Sequence, residues 1–481
     1  MNFLVATLRE QFISTLEKIW DLLTSKEALL VYAIIILLIV FVLVIKIMRN
    51  EQRRVDEINQ RKKLKQDIFN KETLNTIETT IEKKMDKINP GVVITGSTPA
   101  NITASTNTSA NKKKNKKEAQ DGESRFYMLT QIDKAYETYE APEYDNEITL
   151  RDLCNNFRNY ASYKLRLYYD IQDIRRFIGG LSVTKLIILQ GMSGTGKTSL
   201  AYAFGEFLDN KTTVVPIQPM WKERTDLVGY YNEFTRKFNE TTLLYKMYEA
   251  NCNEEIYITV LDEMNIARVE YYFAEFLSLL EIPNPDGRNL DVVADKWEND
   301  PKLLVKGKLR LPTNMWFIGT ANNDDSTFSI SDKVYDRAMV LNLDKKAIPF
   351  EAPVTPSMKL SAEHLDRLFK KAQREYAMSD RNLRRIKKLD EYMIQTFHLT
   401  FGNRIMKQIH AYVPVLVACG GSELEALDDI LSRKVFRKLE SKNPVYVKQM
   451  AESVCTYLDD LFGVDKMPLC KEAVRLIEQN I

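Results

Sequence analysis

"KLIILQGMSGTGKTSLAYAF", Lys185 to Phe204, decides how this chain is read. A short apolar run leads into a glycine-rich loop, and a helical pattern follows. Gly191-Met192-Ser193-Gly194-Thr195-Gly196-Lys197-Thr198 fits G-x-x-x-x-G-K-[ST], with Ser199 next in the helix. Glycines let the backbone turn sharply and aim N–H groups at phosphate oxygens. A helix expected from about Thr198 points its positive end at the same place. Lys197 is the candidate to neutralise β- and γ-phosphates, and the Thr198 hydroxyl the candidate ligand for Mg²⁺. A strand before and a helix after are the context that this loop requires.

Two further strand patterns end in polar residues. "EIYITVLDEMN", Glu255 to Asn265, terminates in Asp262 and Glu263. Ionised carboxylates resist burial, so stability alone explains this ending poorly. Beside a phosphate loop it has a use: Asp262 in the Mg²⁺ shell and Glu263 as the base that polarises an attacking water. "NMWFIGTANNDD", Asn314 to Asp325, ends at Asn322. That side chain reads equally as a turn residue or as one that orients water and senses the γ-phosphate.

Outward from this region the chain is less specific. Its 481 residues suffice for two or three domains. Lys and Arg (68) nearly balance Asp and Glu (66), so no global charge points to nucleic acid or an acidic substrate. The five cysteines are scattered without Cys-x-x-Cys spacing, which reads as reduced thiols rather than a disulfide frame or zinc site. His364, His398 and His410 lack ligand spacing and read as structural residues.

Residues 28–45, "ALLVYAIIILLIVFVLVI", carry no charge and are long enough to span a bilayer as a helix. Lys46, Arg49, Arg53, Arg54 and Arg61 follow the span, whereas charges of both signs precede it. The positive-inside rule then puts the N-terminus outside and the rest in the cytoplasm, an address at the plasma (inner) membrane. Residues 1–26 have an amphipathic pattern that suits either the membrane interface or a partner helix. After the span at 27–48, residues 49–88 are charged and helix-prone. Residues 89–124 are rich in Ser, Thr, Asn and Lys, too polar to bury a core, and read as a disordered linker. Its run Lys112 to Lys117 is either solvated or in touch with an anionic surface.

The order of loop, Asp-Glu strand and Asn-tipped strand resembles that of AAA+ ATPases. "WKERTDLVGYYN" (Trp221–Asn232), "LDEMNIARVEYYFAEFLSLLE" (Leu261–Glu281) and "FIGTANNDDSTFSISDKVYDRA" (Phe317–Ala338) are similar to the McrB branch, the NTPase motor of 5-methylcytosine-specific restriction systems. MoxR-type proteins are similar but more distant. The resemblance runs from about Leu150 to Leu439 and leaves out the membrane segment and linker. It implies a P-loop NTPase three-layer α/β sandwich over 125–351 and a helical lid over 352–481.

The resemblance also implies site roles. Arg337, in "VYDRA", is similar to the arginine finger that reaches a neighbouring subunit's γ-phosphate. Arg404, in "TFGNRIMKQIHAY", is similar to the sensor-2 arginine of the lid. Bare sequence reads either arginine as a solvated or salt-bridged helix residue. A finger acting in trans requires an oligomer, and the resemblance implies a hexameric ring. McrB carries a Met-Asn-x-x-Asp-Arg-Ser type signature after its third strand and uses GTP. Here Asn322 is kept in Ala321-Asn322-Asn323-Asp324-Asp325-Ser326 without that arginine, so ATP with Mg²⁺ is expected and GTP stays open. A membrane segment stands where McrB has its DNA-reading domain, so methylated-DNA recognition is not expected. The expected function is a membrane-anchored NTPase driving a partner, such as the nuclease of a restriction or defence system. A MoxR-like chaperone for membrane or envelope proteins is the alternative. A non-hydrolysing scaffold is a third, and it would have no need of Glu263.

Overall fold

The computed structural model describes residues 124–322, 327–345 and 347–479. The apolar span at 28–45, its flanks and the linker up to 123 lie outside the described residues, as do Asn323 to Ser326. Among the described residues no helix is long and apolar enough to cross a membrane.

In chain order, α1 (Met128–Ala135), α2 (Leu150–Leu165) and α3 (Ile171–Leu181) precede β1 (Leu186–Gly191). Then come α4 (Lys197–Phe207), β2 (Thr213–Pro216), α5 (Arg224–Val228), β3 (Gly229–Asn232), β4 (Lys237–Glu240) and α6 (Thr242–Ala250). β5 (Tyr257–Asp262), α7 (Val269–Tyr272), α8 (Ala274–Glu281), β6 (Asn289–Asp291) and β7 (Lys308–Arg310) follow. β8 (Met315–Asn322), α9 (Asp332–Tyr335) and β9 (Met339–Asn342) complete the α/β part. The C-terminal part is helical: α10 (Ala362–Glu375), α11 (Asp380–Phe397), α12 (Gly402–Ala418), α13 (Glu423–Lys434), α14 (Pro444–Phe462) and α15 (Pro468–Gln479).

Five strands form one parallel sheet in the order β2-β5-β8-β1-β9. Parallel sheets are covered on both faces, so β1, β5 and β8 are buried along nearly their whole length, whereas the edge strand β2 alternates. Neighbouring residues nonetheless serve different cores, because side chains alternate across a strand. Ile187, Leu189, Ile258, Val260, Trp316 and Ile318 face one cluster; Leu186, Ile188, Tyr257, Leu261, Met315 and Phe317 face the other. The first cluster runs on into the helical part through Phe177, Ile409, Tyr412 and Leu427. The second holds the stacked Phe273 and Phe276 and the apolar residues beneath two inserted antiparallel hairpins, β3–β4 and β6–β7.

The edge strand β9 is sealed by α13. Arg433 Nη1 donates to the Val340 carbonyl (2.6 Å), so this backbone group is not left as a template for another chain. Asp429 holds that arginine at 2.6 Å, accepts from Tyr412 Oη (2.6 Å) and forms an ion pair with Arg176, whose Nε lies 3.0 Å away. Every member of this buried network has a partner of opposite charge or a hydrogen bond, as burial of such groups requires. Next to it, Lys434 Nζ donates to the Tyr335 carbonyl (2.8 Å) and to that of Ala338. Burial pushes its pKa down to about 7. A neutral amine still has two N–H bonds, so both carbonyls are served in either protonation state.

Candidate active site

The strands' shared direction sends all their C-terminal ends to one edge, where ligands of open α/β sheets bind. Register decides which residues meet there. Gly191 pairs with Asn322 across β1 and β8, and Leu261 with Gly319 across β5 and β8. Asp262 and Thr320 therefore arrive side by side.

The loop after β1 turns on Gly191, Gly194 and Gly196, with φ of +146°, +79° and +93°. Those angles disfavour any residue with a Cβ. At Gly191 a Cβ would also lie 2.5 Å from the Leu343 carbonyl oxygen. Met192, Ser193 and Gly194 are exposed, and Thr195 Oγ1 donates back to the Met192 carbonyl (3.0 Å). The helix starts at Lys197, one residue earlier than the spacing predicts, and Ser199 lies in its first turn. Lys197 is buried. Its Nζ donates to the carbonyls of Gly191 (2.9 Å) and Met192 (2.7 Å), so the ammonium is held inside the loop's curve.

Thr198 Oγ1 donates to Asp262 Oδ1 (2.8 Å), and Thr320 Oγ1 donates to the same oxygen (2.9 Å). The pair is a hydroxyl and a carboxylate, both hard oxygen donors. That suits Mg²⁺, which takes one or two protein ligands and completes its shell with phosphate and water. Thr320 also accepts the Glu263 N–H (2.8 Å). Glu263 itself sits in the left-handed region, φ 52° and ψ 47°, unusual for a residue with a Cβ, and its side chain is exposed at the edge. Gly319 makes this turn possible: a Cβ there would stand 2.0 Å from Met264 Sδ, which packs under it.

Two contributors escaped the sequence reading. Asn265 is buried. Its Nδ2 donates to the Asn322 carbonyl (2.9 Å), and its Oδ1 accepts the Asn322 N–H (3.3 Å). Its backbone carbonyl takes the Phe328 N–H (2.8 Å), so one residue fixes the tip of β8 and the chain beyond it. "DEMN" offered it as a polar residue just past two acids, but its partner lies in another strand. Tyr169, preceding α3, donates from Oη to the Gly196 carbonyl (3.2 Å) and braces the loop from behind. Burial pushes that phenol up, so it remains a neutral donor.

The structure brings Lys197, Thr198, Asp262, Glu263 and Asn322 to one edge. It does not bring Arg337 or Arg404 there. Arg337 precedes β9, and its carbonyl accepts from Thr184 Oγ1 (2.8 Å), just before β1 begins. It thus lies at the N-terminal edge, about 20 Å from the loop at the six-residue length of β1. Arg404 is at the start of α12 and joins Arg337 there, both bound to Glu281. α12 packs on α3, not over the loop, so Arg404 shares the edge of Arg337.

A parallel α/β sheet with a phosphate loop at its carboxyl edge defines a nucleoside-triphosphate-binding P-loop domain. Residues 186–338 match the family model of the AAA domain, dynein-related subfamily. No curated protein sequence matches the chain. Among solved structures, one similar to it is a "putative ATPase" of Cytophaga hutchinsonii, at 12% identity and TM-score 0.40, covering 72% of this chain and 95% of that one. Another is a full-length MCM homolog of Methanopyrus kandleri, at 12% identity and TM-score 0.35, where 62% of each chain is covered.

Proposed function

We propose that this chain hydrolyses ATP with Mg²⁺, in an assembly where each site is completed by a neighbour. The linked set Thr198–Asp262–Thr320–Glu263 carries the proposal: two hydroxyls and a backbone N–H orient an acid pair beside a phosphate loop. A nucleotide-binding scaffold would need the loop but not an exposed carboxylate on a strained turn. In the mechanism, the loop N–H groups and Lys197 bind the phosphates, and Thr198 and Asp262 would hold the metal ion. Glu263 accepts a proton from water, and Asn322 orients it. Bound Mg²⁺ would neutralise charge on the phosphate oxygens.

The full chain should therefore release phosphate from ATP, and Lys197→Ala should remove both ATP binding and release. Undiminished release by Lys197→Ala would place the activity elsewhere.

The McrB-like sequence features favour a motor that drives a separately encoded effector, with residues 28–45 as its anchor and the AAA domain on the cytoplasmic face. The full chain used as bait should come from the membrane fraction and carry a nuclease-like partner. Recovery of envelope proteins instead would favour a remodelling chaperone, and a chain washed off by salt would remove the anchor.

A further inference from the structure

Glu281 is the last residue of α8, where a carboxylate meets the negative end of the helix dipole. Its position is locally unfavourable, and its compensation is tertiary. Oε2 accepts from Arg337 Nη2 (2.7 Å), while Oε1 pairs with Arg404 Nη2. One carboxylate thus holds two guanidiniums that come from different parts of the fold.

Both arms are fixed from behind. Arg337 Nη1 donates to the Lys333 carbonyl (2.9 Å). On the first turns of α12, Gln408 Nε2 donates to the Asp336 carbonyl (3.1 Å), tying Arg404's helix to the residue before Arg337. Nearby, Arg437 pairs with Asp332 (2.7 Å) and Lys438 with Asp336 (3.0 Å), and the buried Lys434 lies within electrostatic reach of Arg404. Arg404 is half exposed (51%), whereas Arg337 is largely buried, its Nε enclosed and without a hydrogen-bond partner.

We propose that Glu281 is a positioning residue that holds Arg337 and Arg404 together as one paired cation, presented across the subunit interface to a neighbour's nucleotide phosphates. This rests on the shared-site reading above. Two guanidiniums side by side repel, and long side chains lose rotamer freedom when fixed. A carboxylate between them removes the repulsion and selects one geometry for both. Each guanidinium has five N–H donors in a planar fork, so binding Glu281 by one edge leaves donors for phosphate. A more highly charged phosphate then draws both heads with little reorganisation.

The test is a mutant cycle on the full chain, reading ATP turnover and KM together with melting temperature. Glu281→Ala and the size-conserving Glu281→Gln should each lower kcat about 10-fold and leave the KM for ATP within about twofold. In an Arg337→Ala background, Glu281→Ala should add less than about twofold, because the pair it holds together is already broken. An equal loss in both backgrounds, with a lowered melting temperature, would mean that Glu281 only holds α8 in place, and would overturn the proposal. Wild-type turnover of Glu281→Ala beside an inactive Arg337→Ala would overturn the positioning role alone. Wild-type turnover of Arg337→Ala would overturn the shared site and this role with it.

Discussion

Replacing Arg337 with alanine should lower ATP turnover by about 10³-fold while each subunit still binds ATP, the scale expected when an arginine finger is lost. Distance is the reason that binding survives. Within its own subunit Arg337 stands at the N-terminal edge of the sheet, bonded through its carbonyl to Thr184. Lys197 and Asp262 stand at the C-terminal edge, so its charge cannot reach its own loop. On the shared-site proposal it acts at a neighbour's loop. Mixing supplies the direct measurement. Subunits with Arg337→Ala keep an intact loop, and subunits with Lys197→Ala keep an intact finger. A mixture of the two should recover turnover that neither shows alone. If mixing restores nothing at concentrations where the chains assemble, the shared site is wrong.

The second large effect belongs to Glu263. Glu263→Gln should reduce turnover by about 10²–10⁴-fold, the range of a lost general base, and should leave ATP bound. Gln keeps the size and the backbone bond to Thr320 but cannot take up a proton. The left-handed backbone at Glu263 is held by that bond and by Met264 packed against Gly319, so the side chain stays aimed at the edge. Equal phosphate release by Glu263→Gln and the unchanged chain would remove Glu263 from the chemistry and revive the scaffold alternative.

The nucleotide half of the site was legible because each of its parts is local. A run of apolar residues, three glycines at fixed spacing and Lys-Thr define a strand, a loop and a helix start within twenty residues. Asp262-Glu263 and Asn322 announce themselves as polar endings of buried strands. Glu281 has no such signature: in "FLSLLEIP" it is one acid at the end of an amphipathic helix. Its meaning comes from Arg337, 56 residues later, and from Arg404 in the helical part. Asn265 and Tyr169 were hidden for the same reason, since their partners are a strand tip and a loop far along the chain.

By itself, then, the sequence determined which residues can hold phosphate, metal and a proton, because spacing along a strand-loop-helix unit sets that chemistry. Through the resemblance of its motifs it also implied an α/β sandwich. Only the tertiary structure decided where the arginines stand. Strand order places β9 beside β1 and sends Arg337 to the edge opposite the loop. The packing of α12 on α3, with α13 sealing β9, carries Arg404 to the same edge. Helical periodicity says which face of a helix is buried, but not which end of a sheet that face will meet.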